Sequence, residues 1–433
     1  MRAGGAKVSA VFRSSILAHI EEHAQGWVSV FSFLYALVLR DRIGHVKSDG
    51  GSDAVPGIWG HSFVRTYYRW IDKSADAAVQ REGGITSTYF VLRALKGYLG
   101  RFHRELPQSL ENDLATFFLE RTKNSGIGIR TVDDRGNERV QTNLRHTCFG
   151  FMTMQELSVQ GPRRDALERA RERATQTLLR PMTREDLAEC WLTDDQWPVG
   201  GIASYIAARD VLFASPKLCQ RYEDERRVWP GVRDRLIDLL ASISSADIAR
   251  ERGGHTTSEH LPFWHPIGGL PTFRLHSTNG CLALLGRDLY AHARGRTRIH
   301  EIVAALRNEI RGTPSFVSNG PASLTAAAAM LEIVLADWYE PTSADVEFTK
   351  GIMDFVLEYW SDTTVYGDFW TEFTAPLLNL DAFHSAIGSR LEAAIEAGVR
   401  LAQRPKGEFV NVLFAALGPQ GQDALVRRAI KQP

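Results

Sequence analysis

The sequence predicts an all-α protein: an (α/α)-toroid of about six helical hairpins, built as a single domain over residues 1–433. Two observations carry this prediction. Sustained alternation of apolar and polar residues is almost absent, while apolar stripes at helical spacing run through the chain. Five segments also repeat one pattern, in which a Gly- or Pro-bearing loop leads through small or hydroxyl residues into an apolar helix. They are Gly83–Leu95, Thr142–Met154, Val199–Arg209, Leu275–Leu285 and Pro321–Leu331. Measured between Ser87, His146, Gly201, Ser277 and Ser323, the steps are 59, 55, 76 and 46 residues.

Taken in order, residues 1–80 are expected as N-terminal helices packing on the ring. Within them, Trp27–Leu39 is a 13-residue apolar run closed by Arg40 and Asp41, too short to span hydrocarbon and best placed as a buried helix. Glu21, Glu22 and His23 upstream, with no small-residue cleavage site after it, argue against a signal peptide. Each repeated apolar helix is then followed by a charged, amphipathic one. Pro162–Leu179 is dense in Arg and Glu, and Pro230–Ile248 and Arg298–Arg311 space their apolar residues helically. A looser sixth copy starts at Pro376–His384. Helices apolar all round belong inside and amphipathic ones outside, so stacked pairs form two layers. An open superhelical array of hairpins is the competing arrangement.

Composition narrows the function. Lys plus Arg and Asp plus Glu both number 51, so the footprint of a nonspecific nucleic-acid binder is missing. The four cysteines, Cys148, Cys190, Cys219 and Cys281, form no C-x-x-C pair, and Cys148 and Cys281 lie in apolar runs. The expected address is the cytoplasm, with no membrane span. No Gly-rich phosphate loop, G-x-S-x-G elbow or H-E-x-x-H motif occurs.

Two short motifs resemble a known superfamily. Leu144-Arg-His-Thr-Cys-Phe149 resembles the His-Thr-Cys stretch of protein prenyltransferase β-subunits, where the His is a zinc ligand at an inner-helix start. Cys190-Trp-Leu-Thr-Asp-Asp-Gln-Trp-Pro198 resembles the Asp-Gly-x-Trp loop of squalene-cyclase repeats and the acid motif of class II terpenoid cyclases. The resemblance implies the toroid fold and an isoprenoid ligand. The chemistry of those enzymes is less well supplied. The preceding inner helix, Ile85-Thr-Ser-Thr-Tyr-Phe-Val-Leu92, carries neither the Asp nor the Cys that completes the prenyltransferase zinc site, and His146 alone cannot hold zinc. Leu192 stands where the cyclase acid motif has an Asp, and no D-D-x-x-D stretch is present.

A toroid gathers its inner-helix starts around one mouth, where positive dipole ends converge and suit anions. The mouth is expected to collect Arg145 and His146; Asp194, Asp195 and Trp197; Arg274 and His276; Asp368 and Trp370, with His265, Glu372 and His384 beside them. Asp194, Asp195 and His146 are the catalytic candidates, because one of two adjacent carboxylates in a closed cavity takes a raised pKa and can serve as an acid. Arg145, Trp197, Arg274, His276, Asp368 and Trp370 are the ligand-binding candidates. Each has a plainer use: the Asp pair precedes a helix and caps it, the histidines sit satisfied in the core, and the arginines pair with carboxylates. His255-x4-His260-x4-His265 fits neither a helix face nor a strand face, so no metal and no cofactor are expected. Three functional readings stand. The toroid binds, or transforms, an isoprenoid or other small-molecule ligand; it is a scaffold for a partner protein; or it processes carbohydrate with paired carboxylates.

Overall fold

In the computed structural model, residues 2–40, 42–43, 58–59, 85–132, 137–180, 199–215, 220–242, 271–311, 330–331, 333–359, 377–378 and 380–403 are described. Most of them are helical, in twelve helices. The burial of each helix follows its apolar pattern. In α5 (Leu144–Gln155), ten successive residues from Arg145 to Met154 are buried, as expected of a helix enclosed on all sides. The preceding repeat forms α3 (Ile85–Gly100), and the next two form α7 (Val199–Ala214) and α9 (Pro271–Ala291). These apolar helices pack in sequence order, α3 on α5, α5 on α7 and α7 on α9.

The charged segments pack in pairs of their own. Here α4 (Gln108–Arg121) packs on α6 (Pro162–Leu178), and α8 (Glu223–Ser242) on α10 (Ala293–Arg311). α6 buries only Leu167, Ala170, Ala174, Thr175 and Leu178, a single stripe. α10 does the same with Ile299, Ile302, Val303 and Leu306. α8 begins seven residues ahead of the expected Pro230, which lies inside the helix.

The N-terminal helices α1 (Arg2–Glu22) and α2 (Ala24–Arg40) meet the end of the described chain. α2 lies along α12 (Asp381–Gln403), and α1 touches both α12 and α11 (Ser343–Tyr359). In the apolar run of α2, Trp27, Val30, Phe31, Leu34, Tyr35, Ala36 and Val38 are buried, as expected. Trp27 and Phe31 pack on Phe383 at ring separations of 4.4 and 5.2 Å. Gly398 permits the approach, since a Cβ there would lie 2.8 Å from the Ser32 carbonyl oxygen. Tyr98 of α3 donates to the Leu391 carbonyl at 3.0 Å, joining the first apolar helix to the last.

One feature departs from the all-α expectation. Between α4 and α5 the chain forms an antiparallel meander of β3 (Thr122–Lys123), β4 (Gly126–Val132) and β5 (Glu138–Thr142), separate from the pair β1 (Arg42–Ile43) and β2 (Ile58–Trp59). Gly128 faces Thr142 and Val132 faces Glu138 in the longer ladder. Two glycines allow the tight packing. Gly126 has φ +123°, and a Cβ on Gly128 would fall 1.9 Å from the Gln141 carbonyl oxygen. The meander rests on the start of α5, where the Ile127 amide donates to Thr147 Oγ1 at 2.9 Å.

Candidate functional site

Of the residues singled out in the sequence, Arg145 and His146 can be placed in full. Asn143 caps α5: its Oδ1 accepts from the His146 amide at 2.7 Å. Thr147 Oγ1 donates to the Asn143 carbonyl at 2.7 Å while accepting from β4, so the meander and the helix start hold one another. Arg145 and His146 are both buried, and Arg145 Nη2 donates to Thr86 Oγ1 at 3.4 Å. The starts of α3 and α5 therefore lie together. Arg274 and His276 fall within the first two turns of α9 rather than in a loop before it, and their side chains lie outside the described set. Asp194, Asp195, Trp197, Asp368, Trp370, Glu372 and His265 lie outside the described residues altogether. His384 is on α12, with its ring edge-on to Phe102 at 5.5 Å.

A cavity of about 680 Å³ lies elsewhere, toward the later halves of the apolar helices. Its walls come from α1, α3, α9, the 334–341 segment and the start of α12. Phe12, Ile16, Leu282, Val334 and Trp338 give it apolar surface. Gly286 leaves room for the indole, since a Cβ there would stand 2.6 Å from Trp338 Cζ2.

The charged groups on this wall divide into paired and unpaired. Arg287 binds Asp337 at 2.5 Å, Asp288 binds Arg233 at 2.9 Å, and Asp381 binds Arg101 at 2.5 Å. Among the described residues, Arg13 and Arg93 have no ion-pair partner, both are exposed, and Arg93 lies near the Tyr89 phenol. The cavity thus brings apolar side chains beside two exposed guanidinium groups that have no ion-pair partner among the described residues. Tyr339, also on the wall, has its phenol pKa raised by burial and then by the nearby Asp345 carboxylate, so it remains a neutral donor or acceptor.

Sequence reasoning missed this cavity, although one signal was available: Arg93 interrupts Tyr89-Phe-Val-Leu-Arg-Ala-Leu95, an otherwise apolar helix. Arg209 on α7 is buried among Trp229, Tyr205 and Phe213, with its guanidinium 4.9, 5.3 and 5.6 Å from the ring centres. Burial lowers its pKa, an effect opposed by Tyr205, Glu225 and Cys148. Burial also pushes the Cys281 thiol up to about 12, which removes it as a nucleophile near neutral pH. Among the described residues, no helix is long and apolar enough to cross a membrane.

Compared with known protein families, curated proteins and solved structures, the chain matches none of them.

Proposed function

We propose that the chain is an α/α-toroid, related in architecture to the terpenoid cyclases and protein prenyltransferases, that binds a small molecule with an apolar body and an anionic head. An isoprenoid diphosphate is the member of that class which the sequence resemblance favours. The observation that carries this reading is the 680 Å³ cavity, where Phe12, Ile16, Leu282, Val334 and Trp338 stand beside Arg13 and Arg93, both exposed and without an ion-pair partner among the described residues. Its volume falls in the range that encloses small ligands.

Closure into a ring has its own support. The apolar helices α3, α5, α7 and α9 pack in order, and Gly280 of α9 lies close enough to α3 for a Cβ to stand 4.0 Å from Phe90. One cavity is shared by α1, α3, α9 and α12, so early and late segments of the chain form the same wall. With no D-D-x-x-D stretch for magnesium, the guanidinium groups take the role of holding the head.

Calorimetric titration with a C15 isoprenoid diphosphate and the matching alcohol tests this. A charge-assisted hydrogen bond contributes roughly 1.5–3 kcal/mol, so the diphosphate should bind about 10- to 100-fold more tightly than the alcohol. Arg93→Met should reduce that advantage at least about tenfold while leaving alcohol binding unchanged. Equal affinity for the two compounds, or no effect of Arg93→Met, would overturn the assignment.

A further inference from the structure

We propose that His19, Glu22 and His23, at the junction of α1 and α2, bind a divalent cation of the zinc type, with Asp354 of α11 orienting His19. One ligand atom from each of the three residues lies within 4.8 Å of the others. The spacing His19-Ile-Glu-Glu-His23 sets two imidazoles one turn apart on the same face, with a carboxylate beside them. The register persists across the junction, because the His23 amide still donates to the His19 carbonyl at 3.3 Å. The two rings stand 4.6 Å apart.

The second nitrogen of each ring decides the case. His19 Nε2 lies 2.8 Å from Asp354 Oδ1, and a carboxylate oxygen can only accept, so Nε2 carries the proton. His23 Nδ1 lies 3.1 Å from the His19 carbonyl oxygen, which likewise only accepts. In the neutral imidazoles, His19 Nδ1 and His23 Nε2 are left with lone pairs. This is the arrangement in which metal-binding histidines are held: the outer N–H is fixed by a carboxylate or a carbonyl while the other nitrogen coordinates.

The donor set, two imidazoles and a carboxylate, suits zinc and its neighbours rather than calcium or magnesium. Bonds of roughly 2.0–2.2 Å require the three atoms to close by on the order of an ångström, which the exposed Glu22 side chain can supply. A bound ion would fasten the end of α1 and, through His19 and Asp354, couple it to α11. The site is independent of the cavity ligand.

The test uses the full chain, stripped with a chelator and titrated with zinc chloride alone. Uptake of one zinc per chain is expected, with a rise in Tm of about 2 °C or more at saturation. His23→Gln and Glu22→Gln should each weaken binding at least about tenfold, and Asp354→Asn by about 10- to 100-fold. Glu22 is exposed, so its variant keeps the test valid should His23→Gln fold poorly. The triple variant His255→Gln, His260→Gln, His265→Gln should bind as the parent does. No zinc uptake, uptake indifferent to Glu22→Gln, or loss of uptake in the triple variant would each overturn the proposal.

Discussion

At the scale of single residues, Asp345 shows how one buried charge is made tolerable. It is fully buried and accepts from the Arg307 guanidinium. It also accepts from the Thr342 amide at 2.6 Å and the Thr342 hydroxyl at 2.9 Å. The bond to the Thr342 amide caps the start of α11 with the carboxylate of its third residue, one half of a capping box. Asp345→Asn should cost about 2–4 kcal/mol of stability in chemical denaturation, because Arg307 then loses its charge partner. Adding Arg307→Met to Asp345→Asn should recover most of that loss, because the amide oxygen at 345 can still accept from the Thr342 amide. Thr342-x-x-Asp345 is readable in the sequence as a helix start. The pairing with Arg307 is not, since the two lie 38 residues apart and only the packing of α10 near α11 brings them together. The same holds for the cavity arginines. Arg93 stands out in its helix, but nothing local indicates that Arg13, some 80 residues earlier, shares its wall.

Among elements, the apolar and charged helices were legible because burial follows periodicity directly. α5 and α6 illustrate the two outcomes, enclosed on all sides and buried along one stripe. The β-meander was not foreseen. Gly126-Ile-Gly-Ile-Arg-Thr-Val132 alternates over only seven residues, and its glycines, poor strand formers by propensity, are what allow the strands to approach. Gly128→Ala should therefore destabilise the protein by about 1–3 kcal/mol, since the displaced atom is backbone and cannot rotate away. The loss should be local. Amide exchange should accelerate for residues 129–131 of β4, and for His146, whose capping residue Asn143 is tied to Ile127 by a 3.4 Å backbone bond. Unchanged exchange at His146 would show that α5 does not lean on the meander.

For the whole molecule, the central packing is aromatic as well as aliphatic, and this has a consequence at high pH. Tyr35, Tyr89, Tyr98 and Tyr339 all have raised phenol pKa values, with burial the leading cause. Above pH about 10 the unfolded chain loses these protons while the folded chain keeps them, so the unfolded state binds fewer. Stability is therefore full below that pH and falls as pH rises through the alkaline range. Denaturation midpoints between pH 9 and about 12 check this, and a flat profile would place the phenols in water. At this scale the layering of apolar and charged helices could be read from the repeats. The cavity could not, because it is made by segments from both ends of the chain, α1 and α12, meeting α3 and α9. The proposed function places an anionic, apolar-bodied molecule in this shared space. An intact-complex mass spectrum of the protein taken gently from its native host tests it most directly. A single chain carrying one such molecule is expected, with the molecule lost in the Arg93→Met variant. A chain bound at fixed stoichiometry to a second polypeptide, with nothing in its cavity, would contradict it.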